Sequence, residues 1–247
     1  MSRVAVVTGG ASGIGRGICR HLAAAGTAVA VLDVAADVAA DVADSLLEAG
    51  GRARAVGVDV ADRNAVSDAF DEVRSELGPI EILVTSAAVS GFTPFEQITT
   101  EDFRRMLEVN LLGTFHCLQL AIPDMIGAGW GRIVTISSAA GQTGALLQAD
   151  YSATKGGVIA LTKTVALEHA ARGITANTVP PFIVDTPLLR RAQDDGHLPT
   201  DEYLTRMVPV QRFGTADDIG SVCAFLCSDE AGYITGQVIG VNGGAVT

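Results

Sequence analysis

Residues 3–7, Arg-Val-Ala-Val-Val, form a short run rich in β-branched side chains that leads directly into Thr8-Gly9-Gly10-Ala11-Ser12-Gly13-Ile14-Gly15. A strand, a glycine loop and a helix in that order leave few folds open. Glycines at 9, 13 and 15 let the backbone turn tightly and approach a ligand, with Ser12 and Ile14 between them. The helix that follows aims its free N–H groups and the positive end of its dipole at an anion. A second apolar run, Ala28-Val29-Ala30-Val31-Leu32, ends in Asp33, 18 residues after Gly15. A dinucleotide-binding βαβ unit carries its ribose-binding acid at about this place. The bland alternative is an aspartate that simply ends a strand. A carboxylate here accepts from the adenosine ribose hydroxyls and repels an added 2′-phosphate, so NAD(H) is the expected cofactor and NADP(H) the less favoured one.

The pattern continues along the chain. Apolar strand candidates recur at 4–7, 28–32, 53–58, 80–85, 132–136, 174–179 and 237–241, mostly separated by helical patterns of 12–20 residues. With 247 residues and 48% apolar content, the expectation is one α/β domain over 1–247. Its form would be a three-layer doubly wound Rossmann fold with a seven-stranded parallel sheet and helices on both faces.

Tyr151, Lys155 and Ser138, thirteen residues before the tyrosine, bring a phenol, an ammonium and a hydroxyl within reach of one carbonyl. A phenol of ordinary pKa about 10 is a poor proton carrier at neutral pH. A lysine one helical turn later lies on the same face, where its charge favours the phenolate. Taken alone, such a spacing also occurs on ordinary solvated helices.

Together these motifs resemble the short-chain dehydrogenase/reductase family, in its compact form and along essentially the whole chain. TGGASGIG over 8–15 is similar to that family's TGxxxGxG, and Asp59-Val60 stands where its members contact adenine. Asn110 in VNLLGTF, Ser138 in Ile136-Ser137-Ser138 and Tyr151-Ser152-Ala153-Thr154-Lys155 match its asparagine, serine and YxxxK positions. The resemblance implies Tyr151 as general acid or base and Ser138 as the group that holds the substrate oxygen. Lys155 would grip the nicotinamide ribose and lower the tyrosine pKa, and Asn110 would anchor a water in a proton relay. It also implies hydride exchange between a secondary alcohol and a ketone.

Two segments depart from the pattern. Thr85-Ser86-Ala87-Ala88 stands where the family shows Asn-Asn-Ala-Gly. Either the hydroxyls of Thr85 and Ser86 replace the missing amides or water does, with Ser86 and Ala87 still beside the cofactor. In Val179-Pro180-Pro181-Phe182-Ile183-Val184-Asp185-Thr186, Phe182 replaces the glycine of a Pro-Gly pair. A positive φ there would strain phenylalanine. Otherwise the loop is rearranged, or the ring trims the cavity. Pro181, Val184 and Thr186 keep the positions that hold the carboxamide in the family.

Residues 187–212 mix polar and apolar side chains and are read as a helical substrate lid carrying Leu188, Leu189, Tyr203, Leu204 and Met207, the alternative being a plain surface helix pair. Leu146, Leu147 and Gln148 would form the opposite wall with Phe182, which points to a hydrophobic ketone or alcohol. The competing enzyme reading is a 3-oxoacyl-carrier-protein or 3-oxoacyl-CoA reductase, an activity that in the family usually prefers NADPH. From a different class comes a catalytically idle dinucleotide-binding sensor, against which the intact Asn110, Ser138, Tyr151 and Lys155 argue.

Seventeen basic against 28 acidic residues, net −11, argue against nucleic acid or an anionic membrane as partner. Arg104, Arg105, Arg132 and Arg172 are the candidate patch for an acidic carrier. Cys19, Cys117, Cys223 and Cys227 lie in apolar helical stretches and are read as core, and no metal is expected. With no leader pattern and no run of about 18 apolar residues, the expected compartment is the cytoplasm. The helix near 152–171 is small and apolar on several sides, which together with the family's habit predicts a homo-oligomer, a tetramer rather than a dimer.

Overall fold

The computed structural model describes residues 2–247. The strands are β1 (Val4–Thr8), β2 (Ala28–Asp33), β3 (Ala53–Gly57), β4 (Ile82–Thr85), β5 (Gly131–Ile136) and β6 (Ile174–Val179). All pair in parallel in the order β3-β2-β1-β4-β5-β6. Their β-branched and small apolar residues suit a sheet buried on both sides. Val4 and Val6 point into one core, with Phe70, Leu118 and Val165 from α3 (Arg63–Glu76), α5 (Gly113–Ala128) and α7 (Ala149–His169). Ala5 and Val7 point into the other, with Ile18, Val42 and Ile219 from α1 (Gly13–Ala24), α2 (Ala36–Glu48) and α10 (Ala216–Leu226). Each such side chain removed from water stabilises the fold by roughly 1.5–3 kcal/mol. Helices α1 and α10 meet backbone to backbone. A Cβ on Gly17 would come 2.6 Å from the Ala216 carbonyl oxygen, and one on Gly220 would come 2.8 Å from that of Gly17.

Six strands form, not seven. The segment 237–241 runs parallel to the end of β6, where Thr178 donates its N–H to the Gln237 carbonyl at 2.9 Å and accepts from the Ile239 N–H at 2.9 Å, and it forms isolated bridges, Thr178 to Val238 and Pro181 to Val241. The next donor in that register would be residue 180, which is a proline without an N–H, and Gly236 and Gly240 weaken an extended run, so the ladder does not propagate.

The remaining helices are α4 (Thr100–Met106), α6 (Ala140–Thr143), α8 (Pro187–Asp194) and α9 (Asp201–Arg206). A π-helical turn over Leu107–Leu112 joins α4 to α5. The continuous stretch Thr100–Ala128 is, by length and composition, apolar enough to cross a membrane. Its Cys117, Leu118, Ala121 and Met125 are packed into the core against the sheet. All four cysteines are buried and unpaired, and burial pushes the Cys117 and Cys227 thiols up to about 12. Strand order reverses between β1 and β4, which opens a cleft at their C-terminal ends.

Candidate active site

The cleft begins at the glycine loop, which closes on itself. A Cβ on Gly15 would lie 2.0 Å from the Gly9 carbonyl oxygen, and one on Gly9, at φ +65°, would lie 2.7 Å from the Ala87 nitrogen. Ser12 is the N-cap residue of α1, but its side chain makes no cap hydrogen bond, so the first-turn N–H groups after it stay open. A phosphate fits that vacancy of donors. The Asp33 carboxylate accepts from the Ala11 N–H at 3.1 Å and, through its other oxygen, from the Ala35 N–H at 3.1 Å. Neither partner is a cation, so its charge stands uncompensated beside the loop. Asp59 is exposed and caps its own turn by accepting from the Ala61 N–H at 3.0 Å, while Val60 is buried against Gly113.

The missing amides are replaced by neither Thr85 nor Ser86. Thr8 of β1 does the work, its hydroxyl accepting from the Ser86 N–H at 3.1 Å and the Ala87 N–H at 3.2 Å. The Thr85 hydroxyl is buried and has no partner among the described residues. Thr8 stands in the glycine motif, but nothing in a motif marks its side chain as the tie between β1 and β4. On the far side, Pro181 and Val184 are buried, and Thr186 caps α8 by accepting from the Leu189 N–H at 3.3 Å. The Thr186 methyl lies against the glycine loop, 3.2 Å from where a Gly13 Cβ would be. Phe182 is half-buried and its φ is not positive, so the rearranged loop accommodates it without backbone strain.

Lys155 is 3% exposed and gives its ammonium to the Ile136 carbonyl at 2.9 Å, two residues before Ser138. It is buried because α6 packs directly on α7: a Cβ on Gly141 would come 2.6 Å from the Lys155 carbonyl carbon. Burial pulls the lysine down to about 8. Its nitrogen lies 5.7 Å from the centre of the Tyr151 ring. The phenol stands above the ordinary tyrosine value, because burial raises it more than the neighbouring Ser138 hydroxyl lowers it. The downward pull expected from the lysine charge is not seen; Ser138 supplies the lowering, and desolvation outweighs it.

The Asn110 side chain is fully buried and fully engaged. Its Oδ1 accepts from the Val89 N–H at 2.8 Å, and its Nδ2 donates to the Val89 carbonyl at 2.9 Å and to Thr154 Oγ1 at 3.2 Å. The main-chain carbonyl, in the π-helical turn, accepts from Thr114 Oγ1 at 2.9 Å. Thr154, inside the Tyr-x-x-x-Lys run, was not a sequence candidate, and its position one residue before Lys155 was the signal.

On the substrate side the candidates divide. Gln148, the N-cap residue of α7, donates to Ser90 Oγ at 3.0 Å and so faces the cleft. Leu147 is 44% exposed at φ +61°, and Leu146, 92% exposed, projects into solvent and does not line a closed wall. The segment 187–212, expected as a lid, contains α8 and α9. Leu204 is buried, whereas Leu188, Tyr203 and Met207 remain about half exposed. The four arginines do not share one surface. Arg132 is buried and its guanidinium is spent on the carbonyls of Ser228, Gly131 and Gly173.

A family model described as enoyl-(acyl carrier protein) reductase matches residues 9–246. The 3-oxoacyl-(acyl-carrier-protein) reductase FabG of Aquifex aeolicus is 36% identical over 98% of this chain and 96% of its own. The acetoacetyl-CoA reductases of Rhizobium meliloti, 38% identical over 99% of this chain and 98% of theirs, and of Cupriavidus necator, 34% over 98% and 97%, are similar to the same extent. Likeness that runs from the glycine loop to the last residues, on a parallel sheet of this order, makes the chain a member of the short-chain dehydrogenase/reductase family of oxidoreductases.

Proposed function

We propose that this oxidoreductase interconverts a 3-oxoacyl thioester and its 3-hydroxyacyl counterpart with NAD(H). The observation that carries the reaction is the convergence of the Lys155 ammonium, anchored on Ile136, with Tyr151 one turn before it and Ser138 just beyond β5. The substrate class is supported by the relatives, which are named for 3-oxoacyl and acetoacetyl thioesters. Gly9, Ser12, Gly13, Ile14 and Gly15 would hold the pyrophosphate, Asp33 the ribose, and Asp59 and Val60 the adenine. Ser86, Ala87, Pro181, Val184 and Thr186 would surround the nicotinamide. When bound, the nicotinamide supplies or takes up a hydride at the substrate carbon.

Tyr151 gives the phenolic proton to the ketone oxygen in reduction and takes it back in oxidation. Its raised pKa suits the donor role. Ser138 donates a hydrogen bond to the same oxygen. Lys155 would hold the ribose and, through its charge, steady the phenolate left when the proton departs, while water on the Asn110 carbonyl would relay the replacement proton. Asp33 favours NAD(H) because its charge has no cation beside it to accept a 2′-phosphate. The parallel titration of the protein with NADH and NADPH, followed by acetoacetyl thioester turnover, tests this directly. NADH preference with thioester reduction is the expected result, and NADPH preference would overturn the role of Asp33.

A free hydrophobic ketone or secondary alcohol is the second reading, favoured by Leu147 and Phe182 at the mouth. Faster turnover of such a ketone than of the thioester would select it. Tight cofactor binding without any turnover would instead select the idle sensor. We place the protein in the cytoplasm as a single domain with a lid. We further propose that it assembles as a homotetramer through exposed apolar side chains such as Phe115, Ile126, Leu167 and Phe225, for which sedimentation equilibrium is the measurement.

A further inference from the structure

The lid touches the rest of the molecule through an aromatic pair that no motif accounts for. His197, in the turn between α8 and α9, stacks on Phe92, in the segment after β4, with ring centres 5.4 Å apart and planes 16° from parallel. The ion pairs of Arg190 with Asp185 and Asp201, of Arg206 with Glu202, and of Arg212 with Asp218 hold the lid to itself and to its flanking chain, and none reaches the segment after β4. The aromatic pair reaches out of it.

The segment that presents Phe92 is tied down on both sides of the ring. Val89 is bonded through both its N–H and its carbonyl to the Asn110 amide, at 2.8 and 2.9 Å. Thr93 donates its N–H to the Leu147 carbonyl at 2.7 Å, and Gln148 donates to Ser90. Leu147 is held at φ +61°, a conformation that a bulky L-residue rarely adopts. Phe92 therefore stands on a frame bonded to Asn110 and to the N-terminal end of the helix that carries Tyr151. His197 stands on a short turn with its side chain exposed.

We infer that the Phe92–His197 stack is a latch that sets how far the lid closes over Tyr151, and that this pair determines which substrates are retained. The inference rests on the ketone-reducing reading of the site. Aromatic pairs contribute about 0.5–1.5 kcal/mol beyond burial, which corresponds to about 2- to 12-fold in retention. Phe92→Ala and His197→Ala should each raise KM for acetoacetyl thioester by that factor while leaving kcat and NADH affinity within about twofold. The double variant should be no worse than either single one, since both remove the same contact, and His197→Phe should keep the wild-type KM.

A readout without turnover separates the latch from the proposed reaction. In the NADH-bound protein, Phe92→Ala should speed amide hydrogen exchange over 187–206 and leave β5 and α7 unchanged. Effects that multiply in the double variant, failure of His197→Phe to match wild type, or unchanged exchange in the lid would each overturn the latch. Absence of turnover in the wild type with faster lid exchange in Phe92→Ala would uphold the latch and remove the thioester reading.

Discussion

Lys155 and Leu147 lie eight residues apart on one stretch of chain and are held in opposite ways. The lysine is enclosed: α6 presses on its backbone, the Ile136 carbonyl takes its ammonium, and 3% of its surface remains exposed. The leucine is 44% exposed, strained at φ +61°, and held at its carbonyl by one hydrogen bond from Thr93. Packing from every side fixes a group to a fraction of an ångström and shifts its pKa. A few bonds across a gap leave a wall that can be reshaped at small cost. The proton-transfer half of the site is of the first kind, and the substrate half is of the second.

The largest break in that contrast comes from the enclosed half. Tyr151→Phe keeps the ring and its packing and removes the proton, so kcat should fall by about 10²- to 10⁴-fold with NADH affinity within about twofold. Steady-state kinetics and a fluorescence titration check both. A variant of near wild-type rate would remove the phenol from the mechanism. Next comes Gly15→Ala, whose Cβ would stand 2.0 Å from the Gly9 oxygen. Overpacking of this kind costs about 1–3 kcal/mol, so the NADH dissociation constant should rise about 5- to 150-fold. An unchanged constant would mean that the loop can shift to admit the methyl group.

Most of the enclosed half was legible in the sequence, because its constraints are local. A glycine that must admit a backbone neighbour, and a lysine one turn after a tyrosine, leave a fixed spacing. What was not legible depends on contacts between distant segments. Thr8 and Thr85 are both buried threonines at strand ends, and no spacing says that Thr8 accepts two N–H groups while Thr85 accepts none. Nor does spacing show that Leu146 points outward, that the Asn110 amide is consumed by Val89, or that Phe92 meets His197. The seventh strand was overread for a related reason. Apolar alternation in 237–241 is real, but a ladder also needs donors, and Pro180, next in register after Thr178, lacks one.

Charge gives smaller effects. Asp33→Asn removes the repulsion while keeping oxygen and shape, so the ratio of NADPH to NADH affinity should rise about tenfold. A ratio that does not move would place the discrimination elsewhere in the cleft. The lysine adds a pH signature. With its pKa drawn down to about 8, the ammonium is present below that pH and lost above it. The rate of reduction should then fall as pH rises, by about fourfold at pH 8.5 relative to its plateau. Lys155→Arg, charged throughout this range, should lack that inflection. A wild-type plateau that extends to pH 10 would mean that bound cofactor holds the proton on.

The smallest effect is the sharpest test of what enclosure does, because it compares two side chains in register on neighbouring strands. Thr8 and Thr85 face each other across β1 and β4. In Thr8→Val the Ala87 N–H loses its acceptor, while the Ser86 N–H retains the Thr8 main-chain oxygen at 3.2 Å. One stranded donor costs about 1–3 kcal/mol, and the melting temperature should drop by several degrees, at about 2–4 °C per kcal/mol for a chain of this size. Thr85→Val has nearly the same shape but removes a hydroxyl that is buried without a partner. Its removal relieves a desolvation penalty, and the melting temperature should hold or rise by about 2–4 °C. Equal losses in the two variants would show that Thr85 bonds a water in the cleft. The hydroxyl would then stand in for the amide that the family places there, and the enclosed half would owe part of its rigidity to solvent.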